Sequence, residues 1–378
     1  MGSELPGQFP DSVPFCDLTR SQPIPELMAA ARDVISSGNF VGGDEVARFE
    51  SEFASFSGAR HCVGLSSGTS AIEAALTAVG VSPGDEVITV SATFAATAAA
   101  IANVNAVPIF VDIDPGRRTM SPEAAEAALT PRTRALLPVD LYGHPAELES
   151  LAAVARRHGL AMVEDAAQAH GARYQGRPIG SVADVTCFSF YPSKNLGALG
   201  DGGAVITDRS DVAERIRQLR DHGRSPGADE PSVIGRNWRL DAIQAAFLRV
   251  KLARLPEWVI LRHQIAEWYE KALADVPLTL PFAAPDCDPA YHLYVVRCTD
   301  RDQLREFLAG QGVMTRVHYP YAVHQLAPFR RFGALDSELA HTIAHARECL
   351  SLPFFPGLTQ SEVAKVADAM TDWADSRR

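Results

Sequence analysis

Short apolar runs alternate with longer helix-like segments between about residues 61 and 207. The predicted strands cover residues 62–65, 86–90, 108–113, 135–139, 161–163, 186–190 and 204–207. Ala- and Leu-rich segments with helical periodicity, such as residues 123–129 and 147–158, lie between several of them. Strands that are apolar throughout and separated by helices are typical of a parallel sheet covered on both faces. Ligands bind at the carboxyl ends of such strands, so functional residues are expected just after each one.

The pattern changes towards the carboxyl end of the chain. Residues 241–274 have an amphipathic helical pattern. A strand at 291–298, a helix at 302–310, a strand at 313–318 and a last helix from about 361 are predicted to follow. We therefore predict an N-terminal arm and a large α/β/α domain over residues 1–255, and a small α+β domain over residues 256–378.

Composition excludes several classes of protein. The formal net charge of -11 over 378 residues argues against nucleic acid as the main partner, because phosphate backbones require clustered Lys and Arg. The six cysteines are scattered without a CxxC pair, so we expect no disulfide framework and no metal site, and a cytoplasmic location. Residues 1–14 lack the features of a signal peptide. The small-apolar stretch at 95–111 is interrupted by polar residues and predicts a helix running into a strand, not a membrane span.

Lys194 stands apart from the other lysines of the chain. The chain has four lysines, and Lys251, Lys271 and Lys365 lie in helix-like, partly charged segments that predict a solvated surface position. Lys194 follows a predicted buried strand and precedes a glycine-rich run at 197–203. A desolvated lysine loses part of its proton affinity and becomes a nucleophile that can form a Schiff base. The alternative is an ordinary loop lysine.

A carboxylate follows the strand predicted at 161–163. Asp165 lies there, in the sequence Glu-Asp-Ala-Ala-Gln-Ala-His-Gly of residues 164–171. A carboxylate at the end of a buried strand needs a cation to offset its burial. A protonated pyridine nitrogen would be such a cation, and a close carboxylate would keep it protonated. A helix cap or a metal ligand remains an alternative for Asp165.

Residues 64–70, Gly-Leu-Ser-Ser-Gly-Thr-Ser, follow a strand and lead into a helical run. Backbone N–H groups and hydroxyls at a helix N-terminus can bind a phosphate without a lysine. Ser189, on the strand before Lys194, could add a hydroxyl donor. Plain helix capping is the alternative for residues 64–70. Phe94 follows another strand and could stack on a planar ring or belong to the core.

Together these residues resemble the DegT/DnrJ/EryC1/StrS family of sugar aminotransferases, of the fold type I class of pyridoxal phosphate enzymes. The most specific parts are residues 164–171 and residues 188–195, Phe-Ser-Phe-Tyr-Pro-Ser-Lys-Asn. The resemblance extends from Ser37-Gly38 to the run Leu-Pro-Phe-Phe-Pro-Gly-Leu-Thr at 352–359. It implies a fold type I aminotransferase with a large, mostly parallel-sheet domain and a smaller C-terminal domain.

The resemblance also implies roles for single residues. Lys194 would carry pyridoxal 5'-phosphate as a Schiff base and shuttle the proton. Asp165 would hold the pyridinium nitrogen, Gln168 the phenolic oxygen, and Phe94 would stack on the ring.

The phosphate and the subunit arrangement follow from the same resemblance. Gly68, Thr69 and Ser189 would hold the phosphate. Asn237 matches an asparagine that reaches the phosphate of the neighbouring subunit, so the working unit would be a homodimer with shared active sites.

The substrate expectation rests on the same resemblance. The run 194–203, with residues 141–144 and 318–320, is similar to the branch that aminates C3 of nucleotide-linked, probably dTDP-linked, 3-keto-6-deoxy sugars, with L-glutamate as amino donor. Trp238 and residues 321–326 depart from the branch pattern.

Substrate contacts and rival functions complete the expectations. His318 and Tyr319 are expected on the substrate side, as is His324. The arginines that meet the substrate's anionic groups are not fixed by the sequence; the candidates are Arg224, Arg236, Arg239 and Arg316.

Rival functions are amination at C4 or of a keto-cyclitol, a pyridoxamine-dependent dehydratase, and a non-catalytic regulatory protein. The presence of Lys194 argues against the dehydratase, and intact Lys194, Asp165 and Ser189 argue against the regulatory protein.

Overall fold

The computed structural model describes residues 12–225, 227 and 229–377, so the predicted N-terminal arm lies partly outside the described residues. These residues include the following strands: β1 (His61–Leu65), β2 (Glu86–Val90), β3 (Val107–Val111), β4 (Thr133–Leu137), β5 (Ala161–Asp165), β6 (Arg173–Tyr174), β7 (Arg177–Pro178), β8 (Val185–Ser189), β9 (Gly203–Thr207), β10 (Cys287–Asp288), β11 (Val295–Arg297) and β12 (Cys349–Ser351).

A seven-stranded sheet forms the centre of the fold, in the order β1-β9-β8-β5-β4-β2-β3. β9 runs antiparallel to both of its neighbours, and every other neighbouring pair in this sheet is parallel. Each of its strands overlaps one of the strands predicted from the apolar runs. The predicted α/β class with a mostly parallel sheet is confirmed.

Helices cover this sheet and build the C-terminal part of the chain. Their bounds are α1 (Ile24–Ser37), α2 (Gly43–Ser57), α3 (Gly68–Ala78), α4 (Ala95–Asn103), α5 (Pro122–Ala127), α6 (Leu148–His158), α7 (Ser210–Arg220), α8 (Ala242–Leu252), α9 (Leu255–Ala272), α10 (Arg301–Gly310), α11 (Ala340–Glu348) and α12 (Gln360–Asp375). The stretch at 95–111 forms α4 followed by β3, as predicted. In the part of the chain that the structure describes, no helix has the length and apolar character needed to cross a membrane.

Two hydrophobic clusters hold most of the core. The larger one joins the sheet to the helices on its faces, and Phe49 and Phe53 of α2 pack edge-on against Phe190 after β8. The second cluster joins α9, α10 and α12 to the two-stranded β11–β12 sheet. β10 pairs with β6, so the C-terminal part of the chain also contacts the part that carries the seven-stranded sheet. The division at residue 255 stays a prediction.

Two strand predictions near the C-terminus need correction. Only Val295–Arg297 of the strand predicted at 291–298 is a strand, because the preceding backbone bonds a loop instead: the His292 N–H donates to the Tyr142 carbonyl at 2.8 Å. The strand predicted at 313–318 is wrong. Val313 pairs singly with Val13 and Arg316 singly with Ser351, so no continuous ladder forms.

Candidate active site

A cavity of about 580 Å³ opens at the carboxyl ends of the parallel strands, where the sequence predicted the functional residues. The segments after β1, β2, β4, β5 and β8 line it, and residues from the C-terminal part close one side. It brings together most of the residues predicted for the site: Gly68, Thr69, Phe94, Asp165, Gln168, Ser189, Lys194, His318 and Tyr319.

Lys194 lies in the turn that follows β8. Its N–H donates to the Tyr191 carbonyl at 2.8 Å, which holds the turn, and the next residue, Asn195, donates its side-chain N–H to the Ala290 carbonyl at 2.8 Å. Burial lowers the pKa of the Lys194 ammonium to about 8, while the negative charge of Asp165 opposes the shift. A substantial neutral fraction is therefore present near neutral pH, as a nucleophilic amine requires.

Asp165 ends β5 and projects into the same cavity. Its Oδ2 accepts a hydrogen bond from the Thr97 hydroxyl at 2.8 Å, and its Oδ1 accepts one from the Ala167 N–H at 3.1 Å. Thr97 in turn shares a hydrogen bond of 2.8 Å with Thr93. Burial raises the pKa of the Asp165 carboxyl, and the positive charge of Lys194 works in the opposite direction. Asp165 is thus oriented by neutral donors and can receive a further cation.

Gln168 is oriented by a backbone group. Its Oε1 accepts a hydrogen bond from the Tyr142 N–H at 2.7 Å, so its NH2 group remains the donor available to the cavity. Tyr142 has a positive φ of 61°, and its side-chain hydroxyl donates to the His318 carbonyl. The same loop residue therefore fixes Gln168 on one side of the cavity and the segment with His318 on the other.

The N-terminus of α3 meets the end of β8. Ser67 and Ser70 cap the helix reciprocally, and this cap does not use the N–H groups of Gly68 and Thr69. A Cβ atom added at Gly68 would lie 2.7 Å from the Ser189 Cβ, so only glycine permits this approach. Two N–H groups, the partial positive charge of a helix N-terminus and nearby hydroxyls together form a site suited to a phosphate.

His318 and Tyr319 form the opposite wall. The His318 Nδ1 contacts the Ser351 hydroxyl at 2.8 Å, and burial lowers the His318 pKa to about 4, with Lys194 adding to the shift. The Gln168 Nε2 donates to the Tyr319 hydroxyl at 3.4 Å, and the Tyr319 and Phe94 rings lie 5.5 Å apart between centroids. Phe94 is exposed at the cavity mouth and is not a core residue.

Two predicted residues lie elsewhere. Asn237 is exposed outside the cavity of its own chain, and its role in a neighbouring subunit stays a prediction. His324 does not line the cavity: it is buried, with Nδ1 2.7 Å from the Ser91 hydroxyl and Nε2 2.8 Å from Asp336. The expectation of a substrate contact from His324 is therefore wrong, because its two ring nitrogens bond within the protein.

The surface position predicted for Lys251 is also wrong. Lys251 is 2% exposed and lines the cavity, and its Nζ donates to the Gly197 carbonyl at 2.7 Å in the loop after Lys194. Burial lowers its pKa to about 8. Its immediate sequence context, with Arg249 two residues earlier, gave no sign of this burial because that depends on how α8 packs.

Sequence reasoning also missed Arg262, a buried arginine on α9 that lines the cavity. Its NH1 donates to the carbonyls of Tyr291 and His292 at 2.9 and 3.2 Å, and its guanidinium lies over the Phe354 ring. Burial lowers the pKa of Arg262 to about 10. The only signal in the sequence was an arginine on the apolar face of a predicted helix.

None of the four candidate arginines is among the residues that line the cavity. Arg224 and Arg239 both pair with Asp221, at 3.0 and 2.7 Å. The Arg236 guanidinium lies 6.0 Å from the centroid of the Trp238 ring. Across the described ranges, no group of three or more His, Cys, Asp or Glu side chains is placed to hold a metal ion.

Residues 23–371, most of the chain, match the DegT/DnrJ/EryC1/StrS aminotransferase family. The chain belongs to this family. The predicted resemblance and the aminotransferase class are thereby confirmed. Among family members, the dTDP-3-amino-3,4,6-trideoxy-alpha-D-glucose transaminase of Streptomyces venezuelae is 45% identical over 96% of each chain.

Solved structures agree with the family assignment. The crystal structure of DesV from S. venezuelae has a TM-score of 0.94 and 45% identity, covering 96% of this chain and 99% of that one. NtdA from Bacillus subtilis, solved with its bound cofactor PMP, has a TM-score of 0.90 and 30% identity, covering 96% and 85% of the two chains. The predicted fold type I aminotransferase architecture is confirmed.

Proposed function

We propose that this aminotransferase uses pyridoxal 5'-phosphate to move an amino group from L-glutamate to C3 of a nucleotide-linked, dTDP-type 3-keto-6-deoxyhexose. The observation that carries the proposal is the meeting of Lys194, Asp165, Gln168 and the α3 N-terminus in one cavity. The transaminase of S. venezuelae, 45% identical, supports the substrate class through its dTDP-3-amino sugar.

The residues present fit pyridoxal phosphate. Asp165 is a buried carboxyl that can receive the pyridinium cation. The Gln168 NH2 group has two N–H donors, so besides its 3.4 Å bond to Tyr319 it can donate to the phenolic oxygen. Gly68, Thr69 and Ser189 would hold the phosphate, and Lys194 would hold the cofactor through Nζ. Phe94 would pack against the ring. When bound, the cofactor supplies an electron sink that accepts and returns an amino group.

The chain's own residues would direct the proton transfers. The neutral Lys194 Nζ would take a proton from Cα of the amino donor and deliver it in the second half of the exchange to C3 of the sugar. Asp165 would stay ionised and orient the ring through its bonds to Thr97 and Ala167. His318 and Tyr319 would contact the sugar. The walls of the cavity would exclude water from the reaction.

The Lys194 pKa predicts how covalent cofactor attachment depends on pH. Below about 8, the neutral fraction of Lys194 falls tenfold per pH unit, so the rate of attachment to cofactor-free protein should fall in proportion. Above that pH the rate should level off. Stopped-flow absorbance with pyridoxal phosphate measures this profile. A rate independent of pH between 6 and about 8 would contradict the proposed nucleophile.

Gly68→Ala should weaken cofactor binding. The new Cβ would lie 2.7 Å from the Ser189 Cβ, which forces the helix N-terminus away from β8 and costs about 1–3 kcal/mol. The dissociation constant of pyridoxal phosphate, measured by fluorescence titration, should rise by roughly 5- to 150-fold. Gly310→Ala is the matched control, because its Cβ would meet no atom within 4 Å. Equal affinity in both variants would contradict the phosphate site.

We propose that the working unit is a homodimer. Exposed apolar residues lie along α1, which packs on α8, and on two segments bonded to the start of α8. The Ala242 N–H donates to the Phe40 carbonyl, and the Leu199 N–H donates to the Gln244 side chain. Those exposed residues are Ile24, Met28, Ile35, Phe40, Val41 and Leu199. An apolar surface of this kind is typical of subunit contacts. Asn237 lies just before α8 and is exposed, as a contribution to a partner's site requires.

Mixing two variants with defects at different residues tests the sharing of sites. If Asn237 serves the partner's site, a dimer of one Lys194→Ala and one Asn237→Ala subunit has one site with both defects and one intact site. Unfolding and refolding an equal mixture should therefore leave about a quarter of all sites intact, so the activity should exceed the mean of the two pure variants. Activity no higher than the mean of the two pure variants would contradict shared sites.

A substrate panel tests the reaction itself. We expect dTDP-3-keto-6-deoxyhexoses to receive nitrogen from 15N-labelled L-glutamate, detected by mass spectrometry of the sugar nucleotide. The 4-keto isomers and keto-cyclitols should receive little. Preferred amination of a 4-keto sugar or a cyclitol would replace the C3 assignment while leaving the transaminase assignment intact.

We further propose a cytoplasmic location. All six cysteines are free thiols, four of them buried, which suits a reducing compartment. Comparing cell fractions by immunoblotting tests this location.

A further inference from the structure

Two more carboxyl groups lie beside Asp165, and the proposed mechanism uses neither. Glu164 precedes Asp165 on β5, and Asp140 follows β4; both side chains are completely buried. The Asp140 N–H donates to the Asp165 carbonyl at 3.0 Å, and the Asp165 N–H donates to the Pro138 carbonyl at 2.9 Å. Three buried carboxyl groups therefore meet where β4 and β5 end.

The hydrogen bonds of Asp140 and Glu164 leave one oxygen of each without a donor. The Asp140 Oδ1 accepts from the Ala146 N–H at 2.9 Å, and the Glu164 Oε2 accepts from the Thr186 hydroxyl at 2.6 Å. Asp140 Oδ2 and Glu164 Oε1 are buried with no other donor in the described structure. Asp140 follows β4 and Glu164 lies on the neighbouring strand β5, and each carboxyl shifts the pKa of the other. Two ionised carboxylates cannot donate, whereas one proton between them would satisfy both oxygens.

We propose that Asp140 and Glu164 share a single proton and form a buried acid–carboxylate pair that positions Asp165 and leaves it ionised. Two buried carboxyl groups that repel each other when both are ionised favour a state in which they hold one proton between them. The positive charge of Lys194 favours ionisation of Asp165, whereas the negative charge of Asp165 favours a proton on the pair. The proton therefore resides on the pair.

Other groups around the pair agree with this distribution of charge. Burial, mutual repulsion and the nearby Asp165 raise the pKa of Asp140 well above its usual range, and burial raises that of Glu164. The Cys187 thiol on β8 is the neighbouring titratable group, and burial keeps it neutral by raising its pKa. One negative charge remains on the pair, behind the charge of Asp165. This second charge would favour protonation of a bound cofactor, a consequence that rests on the proposed function.

Infrared spectroscopy of the purified holoenzyme counts the shared proton. The wild type should show the carbonyl band of one protonated carboxyl group that Glu164→Gln and Asp140→Asn each remove. Either amide can take over the donor role while its oxygen keeps the bond to Thr186 or Ala146, so both variants should fold. The unfolding temperature and circular dichroism check the fold, and the second variant decides if the first does not fold.

Two results would overturn the shared proton. If neither substitution changes the protonated-carboxyl band, the pair holds no proton. If the wild-type band has the area of two protonated carboxyl groups and each single variant removes only half of it, both groups are protonated in the wild type. Neither result depends on turnover, so the outcome is distinct from success or failure of the proposed function.

A pH titration of the bound cofactor tests the influence of the pair's charge. Glu164→Gln keeps that charge on Asp140, whereas Asp140→Asn/Glu164→Gln removes it. The pH midpoint of the visible absorption change should be unchanged in the single variant and move to lower pH in the double variant. A purely structural role predicts no difference between two folded variants, and equal midpoints would overturn the positioning role.

Discussion

Lys194→Ala should reduce the rate of amino transfer at least ~10³-fold, because one side chain would be lost as both nucleophile and proton carrier. The variant should still bind pyridoxal phosphate through the α3 N-terminus and Asp165, but without the visible absorption of the lysine-bound cofactor. Single-turnover kinetics and an absorbance spectrum measure the two effects.

Lys271→Ala is the matched control for this loss. Its side chain is 78% exposed and pairs only loosely with Glu267, at 3.9 Å, so removing it should change neither the rate nor the spectrum. Lys251→Ala gives a more demanding comparison. Lys251 lines the same cavity but donates to the Gly197 carbonyl, so its loss should loosen the loop after Lys194 without abolishing the lysine-bound absorption. A Lys194→Ala variant with the wild-type spectrum would contradict the assignment.

Asp165→Asn should lower the rate about 10- to 1,000-fold. The amide keeps the shape of the side chain but removes the negative charge, and loss of an opposite charge beside a cation lowers that cation's pKa by about 1–3 units. The ring nitrogen would then lose its proton over most of the working pH range. The dependence of the single-turnover rate on pH measures this loss, which should be smaller at low pH.

The same substitution has a second expected consequence. Asp165 raises the pKa of Lys194 against the effect of burial, so the attachment rate should reach its plateau at a lower pH in Asp165→Asn. Asp44→Asn is the control, because that carboxyl is 89% exposed on α2. If Asp165→Asn has the attachment rate and the single-turnover rate of the wild type at every pH, the Asp165 carboxylate does not stabilise a cation.

Local sequence was enough to predict much of the site. Lys194 and Asp165 could be found because each follows an apolar strand, and in a parallel sheet the ends of such strands meet at one edge. Gly68 and Thr69 could be found because a Ser- and Gly-rich segment after a strand begins a helix. The strand pattern made these residues candidates, and the resemblance to the family then implied the role of each.

Residues that depend on packing between distant segments could not be predicted. Lys251 and Arg262 lie on helices, and whether such a side chain faces solvent or a cavity depends on where the helix packs. Tyr142 acts through its backbone N–H and its positive φ, which the sequence does not display. The proton shared by Asp140 and Glu164 likewise depends on two strand ends, β4 and β5, that are neighbours only in the folded sheet.

The C-terminal strands show the same limit. The apolar pattern at 313–318 is compatible with a strand, but the neighbouring backbone offers only single bridges at Val313 and Arg316. Local β propensity was therefore not matched by a partner strand.

The absorbance spectrum of the purified protein with pyridoxal phosphate, recorded before and after L-glutamate and then after a dTDP-3-keto-6-deoxyhexose, tests the central claim most directly. We expect the visible band of the lysine-bound cofactor to disappear with glutamate, to return with the keto sugar, and to be missing in Lys194→Ala. A protein that forms no such band, or whose band does not respond to any amino donor, would contradict the account.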